Sequence, residues 1–300
     1  MILMLDQEWM QAMKLINVYK KYLKLFQQNN ISDMSLKLLL CDFYGIDSIT
    51  SFIMKFADEV PELTNKQIKI LNKVLHGYPV QYALGKVDFS NLEFYVNKHT
   101  LIPRPETEEL VLYTIKKAQE VFDISEKLNY VDLGCGSGNV MISIEKNAGF
   151  AWNSIEGVDI SYFTLKTTKK NVKYLGSAAI LHKKDMISFL QKTAQKFNIL
   201  TSNPPYISRI EDVDESVKKY EPKRALFINP SYYYYEEIIK LLPKVMADKF
   251  VASFEIGYDL KEILESILKR TKFNIKIKYD FIKDIYGNDR ILLIYSVLLW

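Results

Sequence analysis

Cysteine and histidine are scarce in this chain, which has two cysteines and three histidines among 300 residues. Cys41 and Cys135 lie far apart and lack metal-type spacing, so they indicate neither a disulfide framework nor a zinc site. His76, His99 and His182 have no partner at ligand spacing. We therefore expect no bound metal and a reducing compartment.

Long apolar runs are also missing. No run approaches the roughly 20 residues that a membrane-spanning helix needs. The chain starts with five apolar residues followed by Asp6 and Glu8, a stretch too short and too acidic for a secretion or transit signal. These features predict a soluble, cytoplasmic protein with no membrane partner.

Basic residues are numerous but dispersed. The net charge of +4 arises from 40 basic and 36 acidic residues, and no three lysines or arginines are consecutive. A protein that binds nucleic acid through the phosphate backbone usually has a dense basic stripe. We therefore expect no direct nucleic-acid partner and interpret the lysine pairs as solvated surface.

The chain is 48% apolar, which is enough to bury a substantial core. Its length exceeds one ordinary domain and fits a catalytic domain of about 200 residues with a smaller one beside it. We predict a small all-α docking domain over 1–78, a β-hairpin linker over 79–104 and a catalytic domain over 105–300.

The segment from about residue 6 to 76 has the pattern of several helices, with apolar residues between Met10 and Leu25 at helical spacing. The predicted boundaries are an N-cap at Ser32-Asp33, a helix over 34–44 ended by Gly45, and a helix from Thr64-Asn65 to Leu75 followed by Gly77. The charge of this domain is nearly balanced, which favours a protein-docking or packing module over a nucleic-acid arm.

Two short segments follow the predicted helices. The alternating pattern of 81–85 and 92–96 predicts a β-hairpin between the two domains. Prolines on both sides of Arg104 hold that residue extended, and Thr107 is a candidate cap for a helix that starts near Glu108. Taken by themselves, residues 101–108 are interpreted as a rigid linker.

Beyond Asn129 the pattern alternates between strands and helices, which is typical of a doubly wound parallel sheet. The predicted strands are 130–133, 154–158, 179–181, 199–201, 250–255, 273–279 and 290–298, and helices are predicted over 232–246 and 259–269. No helix separates the last two strands, so we expect that pair to be antiparallel. The predicted fold class is α/β, with a seven-stranded Rossmann-like sheet.

A glycine turn, formed by Gly134, Cys135, Gly136, Ser137 and Gly138, follows the first predicted strand of that sheet. In such sheets a ligand approaches the backbone at this point. The spacing differs from the dinucleotide fingerprint because the last glycine comes one residue early. It suits S-adenosylmethionine, which has no pyrophosphate to bind at the helix end.

Three residues at later strand ends complete the predicted cofactor site. Asp159 lies 21 residues after Gly138, where a carboxylate can bind ribose hydroxyls. Asp185 can accept a hydrogen bond from the adenine amino group, and Met186 can cover the adenine ring. A strand-end aspartate is often only a cap, so the cofactor assignment depends on its combination with the motif after the fourth strand.

That motif is Asn203, Pro204, Pro205 and Tyr206, directly after an apolar run. The prolines push Asn203 out of the helical region, so its side chain and the Pro204 carbonyl hold fixed directions. Two aimed acceptors suit a planar NH2 group, and the ring of Tyr206 can attract a sulfonium cation. We predict that Asn203 and the Pro204 carbonyl hold such a group and that Tyr206 lies beside it, so these three residues are the catalytic candidates. The alternative is a polyproline-type turn with Tyr206 packed as core.

In combination, these motifs resemble those of the release factor glutamine methyltransferases. The resemblance covers about residues 77–298 and is carried by 77–82 with Gly85, 101–108, the glycine turn, Asp159, 202–207, Glu221-Pro222 with Ala225-Leu226, 255–257, Asp284 and 287–290. The Ile-Pro-Arg-Pro-Glu-Thr-Glu segment within 101–108 is the most discriminating, because many other methyltransferases share Asn-Pro-Pro-Tyr.

The resemblance implies methylation of the amide nitrogen of the glutamine in the Gly-Gly-Gln motif of peptide chain release factors, with S-adenosylmethionine as methyl donor. By motif match, it implies that the glycine turn, Asp159, Met186 and Asn203 bind the cofactor and that Asn203, Pro204, Pro205 and Tyr206 hold the glutamine. It also implies a helical amino-terminal domain that helps dock the release factor. The chain departs from the family at two places. Met186 stands where an aromatic residue is often found, and Ile228–Tyr232 stand where a glycine-rich segment is usual.

Two rival functions stay open on the sequence. An adenine-N6 methyltransferase would present the same two amino protons to the Asn-Pro-Pro-Tyr turn, but it would need a basic groove and a means of flipping the base. A degenerate module that only binds a translation partner would be expected to lose Asn203 or the glycines, and all of them are present.

Overall fold

The computed structural model describes residues 12–297, and the chain divides into two compact units at the peptide bond between Gly85 and Lys86. Two predicted positions, Met10 in the first helix and Leu298 in the last strand, lie outside the described residues. None of the helices within 12–297 is long and apolar enough to cross a membrane.

The described part of the first unit is a bundle of short helices around an apolar core. Its helices are α1 (Leu15–Gln28), α2 (Asp33–Tyr44), α3 (Ile49–Met54), α4 (Asn65–Leu75) and α5 (Val80–Leu84). Two-residue strands β1 (Met13–Lys14) and β2 (Glu59–Val60) pair antiparallel, so Met13 precedes the helix in which it is predicted to lie. Phe26, Leu36 and Phe52 are fully buried in the core.

Local capping residues decide where α2 begins and ends and where α4 begins. Ser32 Oγ accepts a hydrogen bond from the Met34 N–H, and Gly45 ends α2 in the left-handed region with φ +62°. Thr64 and Gln67 form a reciprocal capping box at the start of α4. Both helices are therefore predicted correctly, because their ends depend on local contacts.

The predicted strand over 81–85 is wrong. Those residues belong to the single helical turn of α5, which ends at Gly85 with φ +76°. The hairpin is present but starts later, where β3 (Lys86–Phe89) pairs with β4 (Leu92–Tyr95) in the second unit. One turn of helix and a short half-buried strand have similar apolar spacing, so periodicity alone does not separate them.

The second unit is built on a seven-stranded sheet. Its strands are β5 (Lys127–Leu133), β6 (Ala151–Asp159), β7 (Ile180–Lys183), β8 (Phe197–Ser202), β9 (Met246–Glu255), β10 (Ile277–Lys283) and β11 (Asp289–Ser296). Their spatial order is β10-β11-β9-β8-β5-β6-β7. Strands β5 to β9 are mutually parallel, whereas β11 runs antiparallel to β9 and β10. The α/β fold class and the antiparallel closing pair are confirmed.

Helices cover both faces of this sheet. They are α6 (Pro105–Val121), α7 (Asn139–Asn147), α8 (Tyr162–Tyr174), α9 (Met186–Lys192), α10 (Glu215–Tyr220), α11 (Lys223–Leu226), α12 (Tyr233–Val245) and α13 (Lys261–Arg270), with a 3₁₀ turn at Ile210–Asp212. One core joins the sheet to α9, α12 and α13, and the other joins the opposite face to α6, α7 and the hairpin.

Helix α6 begins three residues earlier than predicted. Pro105 occupies its first position and the extended Arg104 precedes it. Thr107 therefore lies inside the helix, where it is buried and donates its hydroxyl proton to Glu255 Oε2 at 2.6 Å. The predicted capping role of Thr107 is wrong, because the proline already starts the helix.

Candidate active site

The carboxyl ends of β5, β6 and β8 meet at one edge of the sheet, where a cavity of about 240 Å³ lies. Every predicted cofactor residue except Gly138 is among the described residues that line it: Gly134, Cys135, Gly136, Ser137, Asp159, Asp185, Met186 and Asn203. Residues that were not predicted to lie there include Asp132, Arg104, Thr107, Arg224 and Tyr234. The structure thus brings separate strand ends into one site.

The glycine turn is held tightly against β6. The backbone N–H groups of Gly134 and Cys135 both donate to the Val158 carbonyl, at 2.8 and 3.0 Å. Gly138 has φ +83°, and a Cβ atom there would lie 3.0 Å from Thr168 Cγ2. Gly138 thus allows the turn to pack against α8 at the start of α7.

Asp159 joins the end of β6 to the glycine turn while lining the cavity. Its Oδ1 accepts from the Ser161 N–H at 2.8 Å, and its Oδ2 accepts from the Gly136 N–H at 3.3 Å. Burial raises the pKa of this carboxyl, and the two backbone hydrogen bonds oppose that rise. The carboxylate is therefore fixed in direction at the cavity wall.

Asp132 is a buried carboxyl that sequence reasoning missed. It is 3% exposed, lines the cavity and accepts a hydrogen bond from Thr201 Oγ1 at 2.7 Å. Burial raises its pKa to about 7. An acidic residue inside the otherwise apolar end of β5 is the signal that could have identified it, since carboxyls are almost never buried without a partner.

Asp185 and Met186 lie at the start of α9. Asp185 caps that helix, with Oδ1 accepting from the Ser188 N–H at 2.9 Å. The Met186 methyl lies 3.4 Å from where a Cβ atom of residue 134 would be. Because Gly134 has no side chain, space remains between the turn and Met186. Met186 is the residue that is predicted to cover the adenine ring.

A second cavity of about 270 Å³ adjoins the first, and the two share Leu101, Arg104, Asn203, Pro205 and Ala225. Its other walls are Tyr206, Ile207, Val213, Asp214, Val217, Leu226 and Glu255. Asn203 therefore lines both cavities, and it can contact a molecule bound in either one.

Two side-chain hydrogen bonds hold the Asn-Pro-Pro-Tyr turn in place. Tyr206 donates its hydroxyl to Glu255 Oε1 at 3.3 Å, and burial raises the pKa of that hydroxyl. Asn203 Nδ2 donates to Thr107 Oγ1 at 3.4 Å, and Pro204 is buried. Tyr206 lines the second cavity and, among the described residues, is not part of the lining of the first.

An ion pair holds one wall shared by the two cavities. Arg104 donates to Glu221 Oε1 at 2.6 Å, and the Ile102 N–H donates to Glu221 Oε2 at 3.1 Å. The Glu221 side chain is 2% exposed. Ile102 and Arg104 are thereby attached to the segment between α10 and α11.

The remaining candidate groups are inert or dispersed. Cys41 and Cys135 are both free and buried, and burial raises the pKa of the Cys135 thiol well above its ordinary value. Within residues 12–297, no three histidine, cysteine or acidic side chains are grouped to hold a metal ion.

Comparison with known proteins agrees with this geometry. The family model described as the methyltransferase small domain matches residues 109–220. Release factor glutamine methyltransferases from Bacillus cereus, Flavobacterium psychrophilum and Staphylococcus aureus are 32%, 39% and 35% identical to the chain. The alignments cover 89%, 71% and 89% of this chain and 93%, 74% and 94% of the relatives. The chain belongs to the family of release factor glutamine methyltransferases.

Proposed function

We propose that the protein transfers the methyl group of S-adenosylmethionine to the side-chain amide nitrogen of the glutamine in the Gly-Gly-Gln motif of peptide chain release factors. The observation that carries this proposal is the position of Asn203, which lines both the cavity of the glycine turn and the adjoining cavity. A methyl donor in the first and a glutamine side chain in the second would meet at that residue.

The first cavity has groups that match S-adenosylmethionine, which supplies an electrophilic methyl group when bound. Asp159 offers its carboxylate to the ribose hydroxyls, and the buried Asp132 offers a negative charge to the ammonium group. Asp185 and Met186 offer an acceptor and an apolar surface to adenine. Gly134 keeps the space beside Met186 open.

The protein's contribution to the chemistry is placement. An amide nitrogen is a poor nucleophile because its electron pair is delocalised into the carbonyl. Asn203 Oδ1 and the Pro204 carbonyl accept the two amide protons, so the nitrogen is aimed and the positive charge that develops on it is stabilised. Alignment of this kind supplies up to roughly 7–11 kcal/mol, so a neutral asparagine suffices. The nitrogen's electron pair forms the new N–C bond, the S–C pair stays with sulfur, and one amide proton is released to water.

The second cavity favours a peptide side chain over a nucleotide. Its walls include the apolar residues Val213, Val217 and Leu226 and the exposed acidic residue Asp214, and the one basic residue among its described lining residues, Arg104, is paired with Glu221. Carboxyl groups repel the phosphates that an adenine in DNA or RNA brings with it. This composition supports the glutamine substrate over the adenine-N6 alternative.

We assign docking of the release factor to the amino-terminal helices, and we place the reaction in the cytoplasm, where translation ends. No direct contact with nucleic acid is needed for either assignment. The glutamine side chain is the only part of the release factor that must reach Asn203, so additional affinity has to come from surfaces outside the two cavities.

The test is transfer of labelled methyl from S-adenosylmethionine to a purified release factor. Label is expected in the parent release factor, and it should be absent from the variant in which the Gly-Gly-Gln glutamine is alanine. An adenine-containing oligonucleotide is the parallel substrate. Labelling of the oligonucleotide, or equal labelling of both release factors, would reject the proposed substrate.

A further inference from the structure

Asn203 can hold a substrate NH2 group only if its carboxamide presents oxygen and not nitrogen. The two ends of a carboxamide have nearly the same shape, but one accepts hydrogen bonds and the other donates them. Rotation by half a turn would therefore aim two donors at the substrate nitrogen. The role proposed above requires something in the protein to prevent that rotation.

Glu255 is the first part of such a device. It is 3% exposed at the end of β9 and accepts hydrogen bonds from Thr107 Oγ1 at 2.6 Å and from the Tyr206 hydroxyl at 3.3 Å. Burial raises the pKa of Glu255, and the hydrogen bonds from Thr107 and Tyr206 and the nearby charge of Arg290 oppose that rise. The Thr107 hydroxyl is the donor in its hydrogen bond with Glu255, so its single proton points at that residue.

Thr107 is the second part. Its single proton is committed to Glu255, so its oxygen has only lone pairs left for the neighbouring Asn203. The Asn203 atom that faces Thr107 at 3.4 Å must then be the donor, Nδ2. The opposite end of the carboxamide, Oδ1, is turned away from Thr107.

We propose that Thr107, held by Glu255, is a positioning residue that turns the Asn203 carboxamide so that Oδ1 faces the substrate nitrogen. The backbone around Glu255 is itself fixed, since the Tyr235 hydroxyl donates to the Glu255 carbonyl at 2.8 Å. The inference rests on the proposed methyl transfer. It assigns a purpose to two sequence motifs, 101–108 and 255–257, that the cofactor and substrate contacts leave without one.

The kinetic test compares Thr107→Val, which keeps the shape and removes the hydroxyl, with Thr107→Ser, which keeps the hydroxyl. Thr114→Val is the matched control, because Thr114 is buried in the same helix and its hydroxyl bonds only to the Leu110 carbonyl. Thr107→Val should lose about tenfold in kcat. This loss in kcat is larger than the roughly twofold loss expected if the carboxamide only rotates freely, and it is smaller than the ~10² loss expected when a preorganised group is removed.

The pattern across parameters separates positioning from a general structural effect. In Thr107→Val, KM for the release factor and affinity for S-adenosylmethionine should stay within about twofold of the parent, since only the reacting amide is misaligned. Thr107→Ser should recover most of kcat, and Thr114→Val should not lose it. A kcat equal to that of the parent in a folded Thr107→Val variant, or a parallel loss of cofactor affinity, overturns the inference.

A spectroscopic readout does not depend on the substrate. In protein with ¹⁵N-labelled asparagine, the Asn203 side-chain NH2 signals are assigned by their loss in Asn203→Ala. They should shift and exchange faster with water in Thr107→Val, but not in Thr114→Val. Unchanged signals in Thr107→Val overturn the inference even if the enzyme is active. If the parent fails to methylate release factor while the signals shift as expected, the proposed function fails and the positioning contact stands.

Discussion

Asp132→Asn is the perturbation for which the structure gives a magnitude. Burial raises the pKa of Asp132 from 3.8 to about 7. A carboxyl whose pKa is higher in the folded state contributes stability that is fully present below pH 3.8 and is lost as the pH rises through about 7. One pKa unit corresponds to about 1.4 kcal/mol, so the contribution should fall by ~3 kcal/mol between about pH 5 and pH 8.

Urea unfolding at a series of pH values measures this contribution. The ring centroids of Trp152 and Tyr130 are 5.7 Å apart. Trp152 lies in β6, which pairs with β5, the strand that contains Asp132, so its fluorescence should report loss of this part of the sheet. The free energy of unfolding of the parent, minus that of Asp132→Asn, should fall by ~3 kcal/mol across the pH range. Asp88→Asn, at an exposed position of the hairpin, is the control and should give a flat difference.

S-adenosylmethionine affinity gives the second arm of the same prediction. If the ammonium group pairs with Asp132, the ratio of parent to Asp132→Asn affinity should rise with pH up to about pH 7, because only the ionised carboxylate attracts it. Taking the ratio cancels the titration of the ligand itself. Parallel stability curves for parent and variant would refute the raised pKa, and a flat affinity ratio would refute the ammonium contact.

Four other predictions concern the site and the amino-terminal helices. Asn203→Ala should lower turnover by about 10²–10³ with little change in cofactor affinity, and steady-state turnover within a few-fold of the parent would contradict its role. Asp159→Ala should weaken S-adenosylmethionine by roughly 1.5–3 kcal/mol in a calorimetric titration, whereas unchanged affinity would leave it only a loop anchor. Arg104→Met leaves the buried Glu221 carboxylate without its cation and should lower stability by about 1–3 kcal/mol in thermal unfolding; no change would mean that water replaces the cation. A chain starting at Lys86 should still bind cofactor but show a raised KM for release factor, and an unchanged KM in a soluble truncation would rule out docking by the helices.

The sheet and its functional edge could be predicted from sequence because each depends on local pattern. Apolar runs identified six of the seven strands closely, whereas the strand predicted over 273–279 begins four residues later, at Ile277. The residues directly after three of the predicted strands identified Gly134, Asp159 and Asn203 as neighbours. Parallel strands place their carboxyl ends at one edge, so residues distant in sequence converge without any knowledge of packing. Local caps such as Ser32 were equally predictable.

Contacts between distant segments could not be predicted. Thr107 has the properties of a good helix cap, yet its hydroxyl bonds to Glu255, which is 148 residues away. The burial of Asp132 depends on both neighbouring strands, so the local sequence does not identify this residue as part of the site. The segment 81–85 is too short for its apolar spacing to distinguish a helical turn from a strand.

The position of Asn203 depends on local sequence, whereas the direction of its carboxamide depends on contacts with distant segments. Its position follows from the end of β8, and two prolines restrict its backbone, so both are written locally in the chain. The direction of its carboxamide depends on a proton of Thr107 in α6, and that proton is directed by Glu255 at the end of β9. A neutral side chain thus acquires a defined acceptor direction from a buried charge that lies one hydrogen bond farther away. Substitutions at Thr107 and Glu255 should consequently lower the rate of the reaction by more than they weaken the binding of either substrate.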